Sequence, residues 1–112
     1  MTRDEVLAMK PGSKLDLLVC EKVMKWKTPW EPFFPSTDIA AAWEVEAAAM
    51  EIDRLEYVAA LMQVVWNDMN YIELADPDNM TAWQAIPDLL RATPEQRCKA
   101  ALLAVMEGEK DD

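Results

Sequence analysis

Apolar residues recur with helical spacing in several stretches of the chain, and the last stretch has the clearest start. Thr93 is a suitable N-cap, Pro94 suits the first helical position, and Gln96 can close a capping box. Behind them, apolar residues three and four positions apart form one face: Cys98, Ala101, Leu102 and Val105. The pattern predicts a C-terminal helix that buries this face.

Two shorter helices are predicted near the N-terminus. Thr2 and Glu5 have capping-box spacing at the start of the first, over residues 2–9. Ser13 is the expected N-cap of the second, in which Asp16 is expected to be solvated. Its apolar stripe is formed by Leu15, Leu18, Val19 and Val23. Residues 26–35 are predicted to form an aromatic and proline-rich loop that packs on the core, with a peptide-binding or base-stacking surface as the alternative.

A third helix is predicted to begin at Ser36-Thr37-Asp38, with Ser36 or Thr37 as the cap. Apolar residues place one face of this helix in the core: Ile39, Ala42, Trp43, Ala47 and Met50. Trp43 is the expected anchor of that face, so its truncation should threaten folding.

Residues 55–69 fit two patterns. Helical spacing is present at Val58, Leu61, Met62, Val65 and Met69, whereas the nearly continuous apolar run 57–66 also suits a buried strand. We favour a helix, which either continues the third helix or turns near residues 52–54. Residues 71–74 and 80–86 lie on either side of a turn and could pair as strands.

These elements predict one domain of class α+β, mostly helical with a small antiparallel β element. The domain covers residues 1–106, which is long enough to form a hydrophobic core without stabilising disulfides or metal ions. The charged tail, residues 107–112, is expected to fray. No apolar run reaches the length of a membrane span, and the N-terminus has no apolar signal core, so a cytoplasmic location is expected.

Charge is distributed unevenly along the chain. It has 11 basic and 21 acidic residues, and residues 1–29 hold six of the basic and four of the acidic ones. The first segment is therefore near +2 and residues 30–112 near −12. Such an acidic body repels nucleic-acid phosphates, so direct nucleic-acid binding is not expected. The simpler interpretation is that the negative charge keeps the protein soluble. The alternative, more specific interpretation is that an acidic face binds a basic partner.

The sequence argues against catalysis. It contains no histidine, which removes the common nucleophile pairs, most zinc sites and the usual general base. Asp76 and Asp78 begin a weak EF-hand match that fails at the positions requiring Gly and Glu. Cys20 and Cys98 have no CxxC partner and are expected to be small buried hydrophobes. We expect no enzyme activity, no cofactor and no metal.

Two motifs carry a family resemblance. They are Ser36-Thr37-Asp38-Ile39-Ala40-Ala41-Ala42-Trp43-Glu44-Val45 and Ala92-Thr93-Pro94-Glu95-Gln96-Arg97-Cys98-Lys99-Ala100-Ala101-Leu102-Leu103-Ala104-Val105. Together they resemble the phage ABA sandwich domain family, small phage and prophage proteins of unknown function. The resemblance implies a phage origin and an α-β-α sandwich-like fold, although residues 54–69 depart from the expected sheet. It supplies no catalytic residue.

The expected function is protein binding by a small acidic phage or prophage accessory protein in the host cytoplasm. Its partner would be a host protein with a basic surface, such as a nucleic-acid-binding protein, and the most concrete form is an anti-CRISPR-like antagonist of host defence. The candidate partner surface consists of Glu44, Glu51, Asp53, Asp76 and Asp78. Alternatives are a nucleotide-sequestering protein, with a pocket lined by Trp26, Trp30, Trp43 or Trp83, and a phage structural subunit. A homo-oligomer is also compatible with the sequence.

Overall fold

The structure, a computed structural model, describes residues 2–26, 32–65, 87 and 89–110, and of residues 107–110 only the backbone. Four helices lie in these segments: α1 (Arg3–Ala8), α2 (Ser13–Lys22), α3 (Ile39–Val65) and α4 (Pro94–Lys110). None of the helices in this part of the chain is long and apolar enough to cross a membrane.

The predicted α+β class is wrong. The described residues are 76% helical and contain no strand, so this part of the chain forms a helical domain, not an α+β or α-β-α sandwich-like one. The ambiguous stretch after Asp53 is helical as far as Val65, because its apolar residues find partners on one helical face. The segments predicted as strands, residues 71–74 and 80–86, lie outside the described residues.

Helix α4 is the centre of the fold. Its capping box forms as predicted: the Thr93 N–H donates to Gln96 Oε1 (2.8 Å) and the Gln96 N–H to Thr93 Oγ1 (3.1 Å). The predicted face is buried, and so are all the remaining residues from Arg97 to Val105. Among the described helices, α3 makes most of the contacts with α4, and α2 and α1 make fewer. Helix α4 is therefore enclosed on all sides.

A lysine of α4 holds α1 in place. Lys99 Nζ donates to the carbonyl of Leu7 in the last turn of α1 (3.0 Å) and to Glu95 Oε1 (3.0 Å). A cation at a helix C-terminus satisfies free carbonyls and opposes the negative end of the dipole. At the other end of α1, Glu5 N–H donates to Thr2 Oγ1 (3.2 Å), which confirms the predicted cap.

The start of α2 differs from the prediction. Gly12 is the N-cap, at a φ of 151° that favours glycine, and Ser13 makes no cap bond. Asp16 is buried instead of solvated, because its Oδ1 accepts a hydrogen bond from the Ser36 N–H (2.8 Å). Ser36 Oγ in turn accepts from the Gly12 N–H (2.9 Å). These bonds fasten the start of α2 to the chain just before α3.

The start of α3 also differs, and the helix is bent. Asp38 is the cap in place of Ser36 or Thr37, since its Oδ1 accepts from the Ala40 N–H (3.1 Å). At Asp53 the backbone leaves the helical region (φ −160°, ψ 102°). Asp53 Oδ1 accepts from the Glu56 N–H (3.1 Å) and caps the second half. Of the two alternatives for this stretch, the turn near residues 52–54 is the one observed.

The prediction that Trp43 is a core anchor is wrong. The buried residues of the first half of α3 are Ala41, Ala42, Val45 and Ala49, whereas the Trp43 side chain is 56% exposed. The buried face is rotated from the predicted one by about one residue, or 100°. This half of α3 has two apolar faces, and the one rich in alanine meets α4 because small side chains permit close helix packing.

The loop between α2 and α3 follows its prediction in part. Trp26 and Phe33 meet edge to face with their ring centroids 5.1 Å apart, and Phe33 packs on the core. Phe34, next to it, is exposed. Trp30 lies outside the described residues, so the loop is only partly accounted for.

Candidate partner-binding surface

The solvent-facing side of α3 carries two of the candidate carboxylates. Glu44 and Glu51 are both exposed and seven residues apart, which is two turns of helix or about 10 Å. Residues seven apart lie on the same face, so both carboxylates can meet one partner surface. Neither side chain has an ion-pair partner among the described residues.

An apolar stripe runs beside these carboxylates. Ile39, Trp43 and Ala47 follow each other at four-residue intervals, and all three are exposed. Ile39 is 38% exposed, and the larger Trp43 exposes more than half of its surface. These three residues, which we call the outer stripe, were predicted to be core. An exposed tryptophan flanked by aliphatic residues is typical of an interface.

The other candidate carboxylates do not belong to this face. Asp53 is exposed, but its carboxylate is the cap that restarts α3 after the bend. It therefore has a structural role that accounts for its presence. Asp76 and Asp78 lie outside the described residues, so the structure brings together only Glu44 and Glu51.

A third glutamate of α3, Glu46, is mostly buried. Glu46 Oε2 accepts hydrogen bonds from Tyr57 Oη (2.6 Å) and from Arg97 Nη1. Arg97 also donates through Nε to the carbonyl of Ala92 and through Nη2 to that of Leu90, both at 3.1 Å. The sequence gives no local signal for this network, because 51 residues separate Glu46 from Arg97.

Burial favours the neutral forms of Tyr57 and of the two cysteines. Burial, and next the hydrogen bond to Glu46, raise the pKa of Tyr57 far above its ordinary value. Burial raises the pKa of the Cys98 thiol to about 12, with smaller contributions from Asp16 and Cys20. Burial and Asp16 raise the pKa of Cys20 as well. Both cysteines are free and buried, as predicted, and a neutral buried thiol is a poor nucleophile.

The charge of the helices favours a basic partner at α3. Residues 38–65 carry six acidic residues and one arginine, a net charge of −5. Residues 2–26 carry five basic and four acidic residues, a net charge of +1. A partner with a positive surface would therefore be attracted to the α3 side, at a rate that decreases with added salt.

Two further results bear on function. Within the described segments, no group of three or more His, Cys, Asp or Glu side chains is placed to hold a metal ion. Comparison of the chain with protein-family models, with curated proteins and with solved structures found no match.

Proposed function

We propose that this protein is a phage or prophage accessory protein that acts by binding a basic host protein through α3. The contact is made by Glu44 and Glu51 together with Trp43 of the outer stripe. In its most concrete form the partner is a nucleic-acid-binding protein of a host defence system, whose basic channel the acidic face occupies in place of nucleic acid. The proposal includes no enzyme activity.

The juxtaposition of charge and apolar surface on one helix supports this proposal. Exposed carboxylates steer a basic partner and raise the rate of encounter, but contribute little affinity once the pair is solvated. A tryptophan supplies affinity when a partner pocket covers it, since a few central aromatic residues carry most of the energy of an interface. Trp43 and Glu44 are adjacent in sequence and both exposed, so α3 offers both contributions at one place.

The phage origin depends on the two sequence motifs alone. The sandwich fold that the resemblance implies is not the fold of the described residues. The first motif nevertheless coincides with the start of α3, and therefore with Ile39, Trp43 and Glu44 of the proposed surface. The second coincides with α4 and its capping box, which support α3 from behind.

The test compares two charge-reversed variants of equal size. Glu44→Lys/Glu51→Lys reverses the proposed surface, and Lys14→Glu/Lys22→Glu reverses two exposed lysines of α2. Each tagged protein is used to capture partners from a host lysate, which are identified by mass spectrometry. The partner should be retained by the wild type and by the α2 variant, and lost by the α3 variant.

The captured protein is then purified and its association rate measured against salt. We expect a basic protein whose association rate decreases by about tenfold or more as salt is raised from low to above physiological concentration. Glu44→Lys/Glu51→Lys should abolish this salt dependence. A rate that is independent of salt would contradict electrostatic docking. Equal loss of capture by both variants would place the contact elsewhere. A stoichiometric nucleotide found by native mass spectrometry would favour a sequestering protein instead.

A further inference from the structure

The bend in α3 interrupts an apolar heptad pattern. Apolar residues follow one another at alternating intervals of four and three through the whole helix: Ala41, Val45, Ala48, Ile52, Leu55, Ala59 and Met62. Such spacing places all seven on one seam of a straight helix, as in a coiled coil. No Gly or Pro occurs anywhere in α3. The sequence is therefore compatible with one uninterrupted helix.

The bent conformation leaves the middle of this seam exposed. Ile52 and Leu55 lie on either side of Asp53, and their side chains are 54% and 81% exposed. At the N-terminal end of the same seam, Ala41 and Val45 are buried against the core. One end of the seam is thus used within the chain, and the two large aliphatic residues at its centre contact little.

Within the described residues, two side-chain hydrogen bonds act at the bend. Asp53 is the only residue of α3 with non-helical backbone angles, and its carboxylate bond to the Glu56 N–H is the local compensation. The Tyr57–Glu46 hydrogen bond links the two halves across the bend. If the helix straightened, the cap bond would be replaced by the regular backbone hydrogen bonds of a continuous helix.

We propose that α3 acts as a hinge at Asp53 and that the chain forms a domain-swapped dimer with a second copy of itself. In the dimer α3 is straight, and residues 1–52 of each copy pack on α4 of the other. The contacts of α1, α2 and the first half of α3 with α4 are remade between copies, including the Glu46–Arg97 and Lys99–Leu7 bonds. Ile52 and Leu55 are then covered by their counterparts where the two straight helices cross.

Charge near the hinge gives this dimer a characteristic salt response. Glu51 and Glu56 border the seam beside Ile52 and Leu55, with Arg54 as the nearby cation. Crossing two copies at this point brings four glutamates together, so added salt should favour the dimer by screening their repulsion. The proposed basic partner requires the opposite response, and the two proposals can therefore fail independently.

Two adjacent substitutions test the hinge in opposite directions. Asp53→Ala removes the cap of the bent form and places a good helix former in the straight one. Arg54→Pro places proline at the first position of the second half, where it fits, and prevents a continuous helix. A second pair tests the seam: Leu55→Lys puts a charge at its centre, and Leu90→Lys changes a similarly exposed leucine (73%) before α4.

Oligomeric state is measured by sedimentation after each protein has been held at high concentration near its unfolding midpoint and returned to native conditions. We expect the dimerisation constant of Asp53→Ala to exceed that of the wild type by about tenfold or more. Arg54→Pro and Leu55→Lys should remain monomeric, and Leu90→Lys should behave as the wild type. The dimer fraction should increase with salt.

The dimer should also persist after dilution, because separation of swapped copies requires residues 1–52 to leave α4. Dissociation within the dead time of dilution would overturn the proposal, since it indicates simple surface contact. A monomeric Asp53→Ala at every concentration, or an Arg54→Pro variant that dimerises as readily as the wild type, would also overturn it.

Discussion

Helices α4 and α3 are both rich in apolar residues, yet they occupy opposite positions in the fold. Helix α4 is buried on every side between Arg97 and Val105, including two of its charged residues. The first half of α3 buries its alanine-rich face and leaves Ile39 and Trp43 exposed. Helix α4 follows a single capping box without interruption, whereas α3 restarts at Asp53.

The difference shows that apolar content alone does not identify a core face. In α4 the predicted face is buried because all faces are, so any choice of apolar face would have succeeded. The first half of α3 has two apolar faces, and the one with smaller side chains packs against α4. The larger residues that remain outside are then available to a partner. The same packing that buries Ala42 and Val45 thus creates the outer stripe.

The largest effect is expected at the network that joins the two helices. Arg97→Ala should destabilise the fold by about 3–5 kcal/mol, because it leaves the carboxylate of Glu46 mostly buried without its cation and the carbonyls of Leu90 and Ala92 without a donor. Urea unfolding followed by circular dichroism measures this. The exposed Arg91→Ala is the matched control and should stay within about 0.5 kcal/mol of the wild type. Equal midpoints for the two variants would show that α3 and α4 do not depend on this network.

The second-largest effect is expected at alkaline pH, which should lower the free energy of unfolding through a buried thiol of α4. The thiol of Cys98 ordinarily titrates at 9.0 and, when folded, has a pKa of about 12. The unfolded chain therefore loses this proton first, so stability should decrease from pH 9 upwards by about 1.4 kcal/mol per unit for this group. Tyr57, whose pKa is also raised, adds to the decrease above pH 10.

Unfolding curves at pH 8, 9, 10 and 11 measure the decrease, and Cys98→Ala identifies its source. The stability of that variant should decrease much less between pH 9 and 10, where Cys20, whose pKa is also raised, still contributes, and should decrease further above pH 10, where Tyr57 adds. The same slope in the variant and the wild type would mean that Cys98 is not enclosed by the fold as described.

A smaller effect is expected at the start of α4. Thr93→Ala should cost about 1 kcal/mol by removing the acceptor of the Gln96 N–H. Thr37→Ala is the control, because the Thr37 hydroxyl donates only to the carbonyl of Phe34 on an exposed turn. An unchanged urea midpoint for Thr93→Ala would contradict the capping box and, with it, the predicted start of α4.

Local signals predicted the fold well where the structure depends on local contacts. The capping boxes at Thr2 and Thr93 each require only residues three positions apart, and both caps form as the sequence indicates. The turn near residue 53 was also open to prediction, since Asp53 and Glu56 have the spacing of a cap. The start of α2 was predicted wrongly, because Gly12 is the N-cap in place of Ser13 and Asp16, expected to be solvated, bonds to Ser36, 20 residues away.

The candidate site was predictable in its charge but not in its apolar part. Glu44 and Glu51 are exposed, in agreement with the sequence, since helical spacing is enough to place them on one face. The role of Glu46 depends on Arg97, to which no periodicity points. The position of Trp43 depends on which of two apolar faces meets α4. The spacing of apolar residues within α3 does not indicate which face packs on a neighbouring helix.

The stability of Trp43→Ala, measured beside Leu102→Ala, tests the contrast between α3 and α4 most directly. Leu102 is 1% exposed in α4, so its truncation should cost about 2–5 kcal/mol. Trp43→Ala should cost about 1 kcal/mol or less, because more than half of Trp43 is already exposed to solvent in the fold. Urea unfolding of both variants supplies the values. A loss of about 3–5 kcal/mol at Trp43 would place it in the core, and the proposed partner surface on α3 would have to be abandoned.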